Sequence, residues 1–132
     1  MKKSLFLLVA LSVSGQAAKF PAEYVCDNGD RIHLTPQGTE QRLVYSSDKY
    51  GNRKGTLDVF KGEGEHKNET IGTIFSLDDY AGRPVALTLQ VKTVDSVVRN
   101  VTYNYQFSAE KAESGRCIPV NNGEMIEGDK NY

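Results

Sequence analysis

The chain has no tryptophan, two histidines and two cysteines in 132 residues, and each scarcity removes a class of protein. A structural zinc site takes four cysteine or histidine ligands, often in close pairs. Cys26, Cys117, His33 and His66 are the whole supply, and none are closely paired. No segment approaches the roughly 20 apolar residues that span a bilayer. The formal net charge of −1 provides no basic field for a polyanion, so nucleic acid is not an expected partner. The chain also lacks a Gly-x-Ser-x-Gly elbow, a His-Glu-x-x-His helix and a phosphate-binding glycine loop. Helical periodicity is almost absent.

What is present begins with a leader. Met1-Lys2-Lys3 is a positive n-region, Ser4 to Val13 is a short apolar run, and Ser14-Gly15-Gln16-Ala17 ends on small residues. This pattern predicts a signal peptide over 1–17, cut after Ala17, and a periplasmic or secreted protein with no membrane insertion. The leader carries Lys2 and Lys3 and no acid, so its loss makes the chain more acidic. The remainder, about 115 residues, is one domain's worth. The reading places a single β domain over 18–120 and a flexible, polar C-terminal tail over 121–132.

Cys26 could be a lipid anchor, a metal ligand, a nucleophile or half of a disulfide. Glu23 breaks the small or aliphatic box that an anchor needs. The four soft ligands are not closely paired as a structural zinc site prefers, and exported thiols usually oxidise. The expectation is a Cys26–Cys117 disulfide joining the first strand to the last.

Period-two alternation is strong. Val85, Leu87, Leu89 and Val91 alternate with polar or small residues, and so do Val101, Tyr103, Tyr105 and Phe107, with Thr93 to Ser96 as the turn between. Tyr24, Cys26, Ile32 and Leu34 read as inward positions of two short strands joined by Asp27-Asn28-Gly29-Asp30. Further strands are expected over 41–46, 56–60, 70–77 and 116–120. Gly72 is read as a bulge, and Pro119 as the mark of a sheet edge. A short helix is expected over 108–113. The predicted fold class is all-β, a small antiparallel barrel or sandwich of seven to eight strands stapled by one disulfide.

Chemistry is sparse. His33 reads as a solvent-facing strand residue, and Glu63, Glu65 and His66 as a solvated loop whose spacing matches no ligand pattern. Asp27, Asn28 and Asp30 lack the glycine and glutamate that a calcium loop requires at fixed positions. No catalytic residue, metal ligand or cofactor is therefore assigned, and the chain is read as a non-enzyme. Two polar loops, 48–55 and 61–69, bracket one strand and should open at its opposite ends if its neighbours are antiparallel. Such loops on a rigid frame predict binding to another protein. Two alternatives stand beside this. One is a barrel holding a small apolar ligand among Leu89, Tyr103, Tyr105 and Phe107. The other is an unrecognised hydrolase of the cell envelope.

Tyr24-Val25-Cys26-Asp27 with the distant Cys117 resembles the frame of the MliC/PliC family of periplasmic inhibitors of c-type lysozyme. Ser47-Asp48-Lys49-Tyr50 and Lys61-Gly62-Glu63 are similar to that family's two inhibitory stretches. Here the first lacks the glycine after its serine, and the second lacks its closing Glu-Ala. The hairpin over 85–107 is an addition, and the likeness covers about the first half of the mature chain. The resemblance implies a small antiparallel barrel with a lysozyme, or another envelope hydrolase, as partner. It implies a surface built from Ser47, Lys49, Tyr50, Lys61 and Glu63, with Ser47 and Lys61 in the lysozyme cleft.

Overall fold

The computed structural model describes residues 18–38, 41–77, 84–128 and 130–131. The leader expected over 1–17 lies outside the described residues. The elements are β1 (Ala18–Pro21), β2 (Glu23–Cys26), β3 (Arg31–Pro36), β4 (Arg42–Ser47), β5 (Gly51–Lys61), a single 3-10 turn at Gly64–His66, β6 (Glu69–Leu77), β7 (Ala86–Val94), β8 (Val97–Gln106), β9 (Ala112–Pro119), β10 (Met125–Gly128) and β11 (Lys130–Asn131). β2 to β9 close into an eight-stranded antiparallel barrel in the order β5-β4-β3-β2-β9-β8-β7-β6, shut by pairing of β5 with β6.

Alternation decides which residues fill it. Leu87, Leu89 and Val91 face inward from β7, Val101, Tyr103 and Tyr105 from β8, and Tyr24, Cys26, Ile32 and Leu34 from β2 and β3. Val85 falls just before β7 and is exposed. Asp95 and Ser96 both take positive φ between Val94 and Val97, the two-residue turn whose twist matches a hairpin. The Cys26–Cys117 disulfide forms between directly opposed positions of β2 and β9.

Several local expectations are corrected. β5 begins at Gly51, not Thr56, so the loop expected over 48–55 shrinks to a tight turn. Arg53 hid the longer strand: it points inward, is buried, and donates to the Pro84 carbonyl at 2.5 Å. Residues 108–113 form no helix, because Ala112 and Glu113 already pair with Gln106 and Tyr105. Pro119 does mark a local sheet edge, as expected, on the side of β9 away from β2. β8 pairs with β9 only as far as Arg116, so the nitrogen of Pro119 has no ladder bond to lose. The supposed tail is corrected too. β10 pairs with β1 as a two-stranded ribbon, and β11 lies parallel to β5 at Val59 and Phe60.

That ribbon covers one end of the barrel. Phe20 of β1 and Ile126 of β10 are opposed in the ladder and buried in the common core. Gly72 pairs regularly with Val59 and Val91, so it is no bulge; its role is spatial. A Cβ there would lie 2.7 Å from Cζ of Phe20, and one on Gly128 would lie 2.7 Å from Leu57. Two glycines thus let the ribbon sink into the barrel mouth. The opposite end carries the turns over 27–30 and 48–50.

Replacing both cysteines by serine frees a loop with a sequence separation of 91. It is expected to cost about 4–5 kcal/mol in urea denaturation; a loss below about 1 kcal/mol would mean that strand pairing alone locks the barrel. Gly72→Ala should cost about 1–3 kcal/mol by overpacking Phe20. Phe20→Leu in the same chain should return part of that loss, and strict additivity would show that the two positions do not press on each other.

Candidate functional site

The end opposite the ribbon is organised by one buried carboxylate. After Cys26 the chain reverses through Asn28-Gly29, with Gly29 at φ +86. The Asn28 side chain accepts from the Asp30 amide at 2.9 Å, which fixes the turn. Asp30 precedes β3 with the inward parity of Ile32 and Leu34, and its exposure is 0%. A buried charge must be met by donors. Ser47 Oγ and the Tyr105 hydroxyl each donate to Asp30 Oδ2 at 2.6 Å, and the Lys49 amide donates to Oδ1 at 3.0 Å.

These bonds pin the β4–β5 turn from beneath. The Tyr50 amide donates to Ser47 Oγ at 3.1 Å. The Tyr50 ring packs edge-on against Tyr105 at 5.6 Å and Phe107 at 5.9 Å. Lys49 Nζ reaches the Asn28 carbonyl at 3.4 Å while its side chain stays exposed. Burial first, then Tyr45 and Asp30, push the Tyr105 hydroxyl far above the ordinary tyrosine value. Burial does the same to Tyr24 and Tyr45. Tyr103 is pushed up to about 12 by burial and then by its hydrogen bond to Asp27.

The expected surface residues separate into two groups. Lys49 and Tyr50 sit at the pinned turn, and Ser47 lies just beneath it, 5% exposed and committed to Asp30. Lys61 and Glu63 sit at the ribbon end. β5, eleven residues ending at Lys61, separates them by a span of roughly 33 Å at about 3.3 Å per residue. The two groups therefore lie at opposite ends of β5. The opposite-end placement follows from the antiparallel neighbours of β5. Leu89, Tyr103 and Tyr105, read as ligand-lining, are buried in the side-chain core with Phe107 packed against it. Ser47 and Asp30 face each other like a nucleophile and its partner, but both are buried and both histidines lie elsewhere.

Two other surface features stand out. An open groove of about 660 Å³ is lined by Arg42, Lys54, Thr56, Phe75 and Leu77, and Leu77 is 67% exposed. On the outer wall, Glu23, His33 and Glu124 bring their ligand atoms within 4.8 Å of one another. Sequence reasoning left His33 facing solvent and missed this cluster, as it missed the organising role of Asp30. Glu23 and His33 share outward parity on adjacent strands, which was a usable signal. Glu124, from the supposed tail, gave none.

Among the described residues, no helix is long and apolar enough to cross a membrane. Comparison with protein-family models, with curated proteins and with solved structures finds no match.

Asp30→Asn should lower stability by about 1.5–3 kcal/mol, the worth of a hydrogen bond to a charged acceptor. It should also speed amide exchange at Lys49 and Tyr50; unchanged exchange there would show that the turn holds itself. Alkali gives a second test. Tyr24, Tyr45 and Tyr105 ionise near pH 10 in the unfolded chain but only well above that when folded. Above pH 10 the unfolded chain has therefore released protons that the folded chain still holds. Their contribution is complete below about pH 10 and falls as pH rises, by up to about 1.4 kcal/mol per pH unit for each tyrosine. Denaturant titration at a series of alkaline pH values checks this, with tyrosinate absorbance rising in step with unfolding.

Proposed function

We propose that the chain is an exported, non-enzymatic binding domain that presents the Asp48-Lys49-Tyr50 turn to the cleft of another protein, and that it acts as an inhibitor of a c-type lysozyme or a related envelope hydrolase. The observation that carries this reading is the pinning of that turn by the buried Asp30 carboxylate. A turn already held in one shape loses little freedom on docking, and preorganisation of this kind favours affinity. Lys49 places an exposed ammonium at its tip. Glycoside hydrolases work with two carboxylates, one of which must carry a proton to act as the acid. An ammonium set between them favours the ionised form of both and removes that acid.

The likeness of Ser47-Asp48-Lys49-Tyr50 to the inhibitory stretch of the lysozyme inhibitors supports the same reading, with Lys49 taking the role that the resemblance gives to Lys61. The leader and the disulfide support an oxidising compartment, periplasmic or extracellular. The apolar-ligand alternative is disfavoured because side chains, including Phe20 and Ile126, occupy the barrel interior. The hydrolase alternative is disfavoured by the sealing of Ser47 and Asp30.

Micromolar mature protein is expected to slow a c-type lysozyme acting on cell walls. Lys49→Ala should relieve the effect and Lys61→Ala should leave it in place. Relief by Lys61→Ala alone would move the contact to the other end of the barrel, and no inhibition by the native chain would reject lysozyme as the partner.

A further inference from the structure

We propose that Glu23, His33 and Glu124 form a binding site for a divalent transition-metal ion, with Zn²⁺ as the best match to the donor set. Glu23 on β2 and His33 on β3 are directly opposed across the ladder, so two of the three donors stand on rigid neighbouring strands. The third comes from the segment leading into β10. It is held by a hydrogen bond from the Ala22 amide to the Glu124 carbonyl at 3.0 Å. His33 Nε2 lies 3.0 Å from Glu124 Oε1, and Thr35 Oγ1 lies 3.4 Å from Nδ1. With Nδ1–H donated to Thr35, the Nε2 lone pair faces the two carboxylates. A hydrogen bond behind the ring is the usual way a ligating imidazole is oriented.

The Asn122 amide group donates to Glu23 Oε1 at 2.9 Å and to Glu124 Oε1 at 3.4 Å, drawing the two carboxylates together. Arg31 engages the other Glu23 oxygen and offsets part of the charge. One imidazole nitrogen and two carboxylate oxygens, with Glu124 and His33 open to solvent, leave room for water as a fourth ligand, a coordination that Zn²⁺ accepts. The second histidine supplies a contrast. His66 has Glu69 at 2.6 Å from Nδ1 and Glu65 at 3.9 Å from Nε2. Its carboxylates approach opposite sides of the ring and do not converge. An ion at Glu23, His33 and Glu124 would join β2 and β3 to the approach to β10, fastening the ribbon to the barrel wall.

The test is calorimetric titration of the folded, oxidised chain with zinc chloride in a non-chelating buffer. One ion per chain is expected, and at 100-fold excess over the dissociation constant the folded-to-unfolded ratio should rise about 100-fold. Glu124→Gln should weaken binding roughly tenfold or more, and His33→Ala should abolish it. Because the chain has only two histidines, imidazole NMR of the unaltered protein locates the ion independently of any variant. The His33 ring signals should shift and those of His66 should not. Absence of saturable heat, full binding by His33→Ala, or a shift confined to His66 would each overturn the assignment.

Discussion

An eight-stranded antiparallel barrel encloses a volume that side chains can just fill, and the rest of this molecule answers to that constraint. Once β5 pairs with β6 the sheet closes on itself, and every inward residue has to share one interior. Leucine, isoleucine and tyrosine supply most of the filling, in place of the missing tryptophan. The wall residues are complemented at one end by Phe20 and Ile126, which come from a ribbon outside the barrel. Gly72 and Gly128 are the concessions that let the ribbon in.

The two ends solve the same problem with different chemistry. One is stopped by apolar side chains. The other is stopped by a polar network in which Asp30 collects the hydroxyls of Ser47 and Tyr105 and an amide from the adjoining turn. Apolar filling is tolerant of detail, whereas a buried carboxylate demands donors in fixed positions. The polar end therefore dictates the shape of the surface above it. This asymmetry makes the β4–β5 turn a better-defined surface than the larger loop over 62–68.

The sequence was most legible where alternation was clean. The β7–β8 hairpin, the inward set of β2 and β3 and the all-β class could each be read from spacing alone, and the disulfide by excluding other roles for the two cysteines. Legibility failed where an inward position was polar. Arg53 disguised the first half of β5, and Asp30 passed for an ordinary turn residue. It failed again where burial came from distant pairing. Nothing local in Met125 to Gly128 announces a strand, because its partner is β1, about a hundred residues earlier. For the candidate surface, single residues could be named from the sequence but not their arrangement. Lys49 and Tyr50 were named, but grouping them with Lys61 and Glu63 overlooked the length of the strand between them.

The ribbon unites the first described strand with almost the last. A polypeptide delivered amino-end first can assemble all eight staves and oxidise its cysteines while the stopper is still incomplete. Such a half-finished vessel has a hydrophobic throat open to its surroundings. Completion waits for β10 to arrive, so any chain clipped before it would keep its barrel and its cross-link yet remain visible to proteases and chaperones that patrol for exposed interiors.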